Sequence, residues 1–157
     1  MRRGARLGVD VGRARVGVAR SDADGMLAMP VETVQRGEDT AAAVHRVLQL
    51  AAEHQTFEIV VGLPISLSGR DTPSTQDARD FADLLTAGER EVRLVDERLS
   101  TVSAQSAMRA SGRKAAKQRS VIDQAAAVVI LQHALDAERA SGTAPGTIAD
   151  RPAADQP

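Results

Sequence analysis

The chain has 157 residues, 43% of them hydrophobic, and a formal net charge of −1, a size and apolar content that fit one packed core and exclude a disordered chain. No apolar run approaches the ~18 residues of a membrane span, and no apolar signal core precedes the first strand. With no cysteine there is no disulfide, thiolate nucleophile or zinc–thiolate site, and a cytoplasmic protein is expected.

Ala5 to Val11 alternates as a strand, Val16 to Ser21 as a second and Leu27 to Thr33 as a third, with Gly12 in the hairpin turn between the first two. Asp39 to Glu53 has helical spacing, placing Val44, Val47, Leu48 and Ala51 on one side. Glu58 to Gly62 is a β-branched run and reads as a buried strand, closed by Gly62 and Pro64. The loop LPISLSGRDTP follows. Ser74 and Asp77 have the spacing of a capping box for a helix whose apolar face is Ala78, Phe81, Ala82 and Leu85. Val92 to Asp96 is a further strand, Thr101 to Ser111 a weaker helix, and Val121 to Ala140 the longest helix. Residues 142–157 turn to Pro, Gly and small polar types, which predicts a disordered tail after a single domain over 1–141. A hairpin sheet followed by strand–helix alternation predicts an α/β fold with three antiparallel strands joined by parallel ones, a mixed sheet of five.

Charge is segregated along this chain. Residues 1–20 carry +5, residues 109–119 carry +5 through Arg109, Arg113, Lys114, Lys117 and Arg119, and the remainder carries −11. Such basic stretches can steer a polyanion whatever the total, although solvated surface would read the same way.

The acids raise a sharper question. Asp10 lies near the end of the first strand, Asp96 and Glu97 at the end of the strand VRLVDERLST, and Asp123 one turn into the last helix. The helical neighbours of Asp123 at three, four and seven places on are Ala126, Ala127 and Ile130, an apolar face on which an uncompensated charge is costly. Carboxylates converging from separate core elements repel one another. Divalent cations remove that repulsion, and oxygen-only ligands select hard ions such as Mg²⁺ or Mn²⁺. Two such ions ~4 Å apart would clamp the oxygens of a phosphodiester under attack. Hydrogen-bonded structural carboxylates are the alternative.

The blocks DVGRARVGVA, EIVVGLPISLSGRDTPSTQDARDFADLL, VRLVDERLST and VIDQAAAVVIL resemble, in order and spacing, those of the YqgF (RuvX) family. The resemblance runs from about Arg6 to Leu135. It implies a ribonuclease H-like fold and a nuclease that processes the 5′ end of pre-16S ribosomal RNA, or resolves Holliday junctions in branched DNA as a dimer. It places the family's acidic triad on Asp10, Glu97 and Asp123. Asp96 is the neighbouring alternative, since adjacent strand residues point to opposite faces. Where many members carry a lysine, this chain has Ala14, so basic contact near the first acid falls to Arg13 or Arg15. Related junction resolvases often add an acid three places after the last one; here that place is Ala126.

Arg13, Arg15, Arg70, Arg98, Lys114, Lys117 and Arg119 are the expected nucleic-acid contacts, the last three on a basic link ahead of Asp123. Gly12, Gly62, Pro64, Gly69, Ser100 and Thr101 are expected to shape the bordering loops, Ser100 and Thr101 first of all as helix N-caps. His45, His54 and His133 read as surface residues. Phe57 and Phe81 are the only aromatic residues and sit in apolar contexts, so recognition should rest on backbone charge and shape, not base stacking. Ribosomal particles are a further expected partner, and the protein could act as a monomer or homodimer. The DVG hairpin also occurs in actin-like ATPases, which need two such domains. A non-catalytic ribosome-associated module is a third reading, one that gives no reason for carboxylates facing alanine.

Overall fold

Apolar residues alternate along β1 (Arg6–Val11), β2 (Arg15–Ser21) and β3 (Ala28–Gln35), so each strand offers side chains to both sides of a sheet. The three pair antiparallel, with Val9 opposite Val18 and Val16 opposite Val34. β4 (Glu58–Leu63), buried at every position, joins β1 in parallel, and β5 (Glu91–Asp96) joins β4 in parallel. The helices are α1 (Thr40–Glu53), α2 (Pro73–Leu85) and α3 (Ala115–Ser141), and β6 (Thr147–Ile148) completes a sheet ordered β3-β2-β1-β4-β5-β6. The computed structural model describes residues 1–97 and 115–149, with side chains in α3 from 122 onward. The helix expected over Thr101–Ser111 lies outside the described residues.

The two sides of the sheet bury different partners. Leu7, Val9, Val16, Val18, Ile59 and Val61 pack with Val47 and Leu50 of α1 and with Phe81 and Leu85 of α2. Ala19, Val60 and Val95 pack with Ala127, Ile130 and Leu131 of α3. Because strand residues alternate, Gly8, Asp10 and Gly62 belong to the α3 side. Among the described residues no helix is long and apolar enough to cross a membrane.

Three expectations need correction. The sheet has six strands, not five, because Thr147–Ile148 of the expected disordered tail pairs antiparallel with Leu94 and Arg93. The Ala149 amide also donates to the Val92 carbonyl at 2.8 Å, and Ala149 is buried. Small polar composition cannot reveal this, because the force is the unpaired backbone edge of β5 and not side-chain burial. Next, α2 is capped by Thr72, with Pro73 in the first turn and Thr75 closing the reciprocal box, in place of Ser74 and Asp77. Proline suits a first helical position, which moves the cap one residue before it. Last, α3 starts at Ala115 and not Val121. Lys117 and Arg119 therefore stand on the helix, not on a flexible link. The stretch AAKQR is made of strong helix formers but lacks the apolar period that marks a helix in sequence. α1 agrees with expectation, with Asp39 accepting from the Ala42 amide at 3.0 Å as its N-cap.

Candidate active site

β1, β4 and β5 run parallel and bring Asp10, Gly62 and Glu97 to the same end of the sheet. β1 and β4 pair through Val9 and Val61, so Asp10 and Gly62 stand one step past that pair. Glu97 follows β5 directly, and its amide donates to the Leu63 carbonyl at 3.2 Å. From there its side chain lies over Gly62. A β-carbon on Gly62 would stand 2.7 Å from Glu97 Oε2 and 2.7 Å from Ile130 Cδ1. The missing side chain is what lets Glu97 reach across β4 and share a hydrogen bond with Asp10. Glu97 is 4% exposed, whereas Asp96 is exposed, so the strand alternation separates the adjacent pair as expected.

α3 supplies the third acid. A β-carbon on Gly17 would lie 1.9 Å from the Asp123 carbonyl oxygen, so α3 rests at Asp123 against bare β2 backbone. The small buried Ala126 and Ala127 continue that close approach. The Asp123 carboxylate accepts from Arg15 Nε at 2.7 Å.

The electrostatics record an excess of negative charge. Burial, then the charge of Asp10, the hydrogen bond with Asp10 and the charge of Asp96 push Glu97 up to about 8. Burial and the charge of Asp123 push Asp10 up to about 6, against the hydrogen bond from Glu97, which lowers it. Glu97 Oε2 is buried with no hydrogen-bond partner. Among the described residues no three His, Cys, Asp or Glu side chains form a ready metal cage; Asp10 and Glu97 make two, and Asp123 is bonded to Arg15. The donor set still fits a hard divalent cation: carboxylate oxygens only, one of them unpartnered, with Asp10 and Glu97 both pushed up by burial and by neighbouring negative charge.

The other expected residues form a rim or fall elsewhere. Gly12 and Arg13 lie in the β1–β2 turn, where the Gly12 amide donates to the Arg15 carbonyl at 2.9 Å and Arg13 is exposed. Arg15, expected to be free for substrate, is engaged by Asp123. The loop after β4 closes on itself through Ser66 and Arg70: the Ser66 amide donates to the Arg70 carbonyl at 3.0 Å and the Arg70 amide to Ser66 Oγ at 3.0 Å. Gly69 turns this loop at a φ of 84°, the Pro64 carbonyl accepts from Thr75 Oγ1 at 2.8 Å, and the Arg70 side chain is exposed. Lys117 and Arg119 fall on the first turns of α3, upstream of Asp123. Arg98, Ser100, Thr101 and Lys114 lie outside the described residues. His45 and His133 are exposed and His54 half-buried. Sequence reasoning missed Gly17, which fell inside the second strand without a role, and the pairing of Arg36 with Asp77 at 2.7 Å. A glycine in the middle of an alternating strand is the signal that could have found the first.

Comparison with known proteins places the chain in a family. The sequence profile of the RuvX family, described as Holliday junction resolvase, matches residues 4–137. A protein of Clavibacter sepedonicus, named provisionally as a pre-16S rRNA nuclease, is 61% identical over 152 residues, covering 96% of this chain and 94% of its own. One of a Nocardioides species with the same provisional name is 55% identical over 156 residues, covering 96% and 99%. In structure, Thermus thermophilus RuvC in complex with a Holliday junction superposes with a TM-score of 0.57 at 14% identity, covering 92% of this chain and 99% of that one. That likeness is one of fold, the ribonuclease H-like arrangement.

Proposed function

The chain belongs to the RuvX family of nucleases, and we propose that it hydrolyses phosphodiester bonds at the 5′ end of pre-16S ribosomal RNA with the help of Mg²⁺ or Mn²⁺. The observation that carries this reading is Glu97 lying over Gly62 and interacting with Asp10, with its Oε2 buried and unpartnered. A structural role would leave that oxygen bonded, because an orphaned buried acceptor costs ~1–3 kcal/mol. Asp10, Glu97 and Asp123 would hold the cations, two of them by the charge to be offset, and such ions supply the positive charge that attacking and leaving oxygens need in phosphodiester hydrolysis.

The chain's own residues do the rest. Gly62 keeps open the space that Glu97 crosses, and Gly17 sets how closely Asp123 approaches. Glu97 holds a proton toward Asp10 while no cation is present. Arg13 and Arg70, exposed on the turn and on the loop after β4, are placed to meet substrate phosphates. Lys117 and Arg119, on the first turns of α3, would add to this basic approach. Such contacts fix the position of a strand without reading its bases.

The relatives' names support the RNA substrate, and the family description supports a second one, the four-way DNA junction. The test is a side-by-side assay of the purified protein on a pre-16S RNA fragment and on a four-way junction, in Mg²⁺ and in Mn²⁺, with oligomeric state measured. Cleavage of the RNA by a monomer supports the first reading. Paired, symmetric nicking of the junction by a dimer supports the second. Inertness on both substrates overturns the nuclease reading.

A further inference from the structure

We propose that Arg36, the residue after β3, is a positioning residue for the β1–β2 turn of the active site, an inference that rests on the nuclease reading above. The backbone amides of Arg36 and Gly37 both donate to the Ala14 carbonyl, at 2.9 and 3.1 Å. The Arg36 side chain turns inward and is 9% exposed. Its Nη1 donates to the Gly12 carbonyl at 3.0 Å and to Asp77 Oδ2 at 2.7 Å, its Nη2 to Asp77 Oδ1 at 2.8 Å, and its Nε to Thr40 Oγ1 at 3.2 Å. The guanidinium also lies 5.3 Å from the centre of the Phe81 ring.

One residue therefore holds two carbonyls of the turn, at Gly12 and Ala14, and ties them to α2, the helix that follows the loop of Gly69 and Arg70. Asp10 lies two residues before Gly12, and Arg15, which reaches Asp123, comes directly after Ala14. The planar fork makes this arrangement possible, because lysine cannot serve Asp77 bidentately and Gly12 together. With its donors committed inside the protein, Arg36 does not contact substrate. An ion pair present only for stability would need Asp77 alone; the bond to Gly12 is the part that reaches the site.

Asp77→Asn and Arg36→Gln break the same ion pair, but only the second frees the Gly12 carbonyl. Arg36→Lys keeps the charge and loses the fork, and serves where Arg36→Gln folds poorly. Cleavage is measured well below each variant's melting midpoint. The expected result is a kcat at least tenfold lower in both Arg36 variants than in Asp77→Asn, with KM within twofold. Amide hydrogen exchange across residues 12–15 should be faster in the Arg36 variants only. Equal kcat in Arg36→Gln and Asp77→Asn, or unchanged exchange in the turn, overturns the inference while the wild-type enzyme stays active. A wild-type chain that cleaves no nucleic acid overturns the nuclease reading and this inference with it.

Discussion

Arg15, the first residue of β2, donates through Nε to Oδ2 of Asp123 at 2.7 Å, with side chains 29% and 20% exposed. The sequence offers Arg15 to substrate phosphate and Asp123 to a metal ion, yet here each satisfies the other. The guanidinium stands where a cation would otherwise offset Asp123. Removing it as Arg15→Gln should therefore tighten binding of Mn²⁺ alone. A partly exposed pair is worth ~0.5–1 kcal/mol, so the gain should be about two- to fivefold. The same variant should lose about one unit from the slope of log nucleic-acid affinity against log salt, measured in Ca²⁺. Calorimetric titration with Mn²⁺ decides the first point; unchanged or weaker affinity would show that Arg15 does not compete for Asp123.

Asp10 and Glu97 predict an unusual pH profile for the metal-free protein. Their values, about 6 and about 8, lie above the ordinary 3.8 and 4.5. The folded chain thus keeps protons that the unfolded chain releases, and stability falls as pH rises from ~4 through 8. In a chelator, the melting temperature should decline over this window, and Glu97→Gln should flatten the decline. At pH 9 Glu97→Gln should melt above wild type, by ~2–4 °C for each kcal/mol of repulsion relieved, while cleavage by Glu97→Gln and Asp10→Asn is abolished. A wild-type profile as flat as that of Glu97→Gln would remove this account of the site.

How much of this could be read from the sequence differs by residue. Asp10, the Asp96–Glu97 pair and Asp123 stood out because an acid at a strand end, or facing alanine on a helix, contradicts its local pattern; the choice of Glu97 over Asp96 came from the family resemblance. β4 was legible as a buried strand from the β-branched run that ends at Gly62. The sixth strand was not, because Thr147 and Ile148 join by backbone bonds alone. Arg36 was not, because its partners Gly12, Thr40 and Asp77 are brought together only by the fold. Asp77 was misread as a cap for the same reason: its carboxylate serves a distant guanidinium instead of its own helix.

A buried ionic cluster at the opposite end of the sheet predicts a loss of stability without a change in chemistry. Glu138, 3% exposed, accepts from Arg2 Nε at 3.1 Å and from Arg6 Nη2 at 2.9 Å. Arg2 continues to Glu58 at 2.8 Å, and Glu58 to Arg93 at 3.2 Å. Burial alone would raise the Glu138 carboxyl, but the hydrogen bonds from Arg2 and the charges of Arg2 and Arg6 outweigh it and hold it below 4.5. Its contribution is therefore present above that value and lost as pH falls further. Glu138→Gln should cost ~3–5 kcal/mol, a fall of about 10 °C in melting temperature. Glu138 lies fifteen residues from Asp123, ~22 Å along α3, so kcat of the folded fraction should match wild type. A lowered kcat would mean that this cluster also shapes the active site.

The two bare strand positions separate packing from chemistry. At Gly17 the obstacle to a β-carbon is the backbone oxygen of Asp123, 1.9 Å away, which cannot rotate aside. Gly17→Ala must lift α3 off β2 around Asp123, so it should lower stability by ~2–3 kcal/mol, as overpacking does, and displace Asp123 with it. At Gly62 the obstacles are the ends of two side chains, Glu97 Oε2 and Ile130 Cδ1, which can rotate. Gly62→Ala should therefore fold with a smaller loss but turn Glu97 away from Asp10. Cleavage should drop at least tenfold, and the pH-dependent decline of metal-free stability should shrink as the two carboxyls part. Thermal melts at pH 6 and pH 9, run beside a cleavage assay, distinguish the two variants. A Gly62→Ala protein with wild-type activity would show that Glu97 need not cross β4, and would remove the contact on which the nuclease assignment of these residues rests.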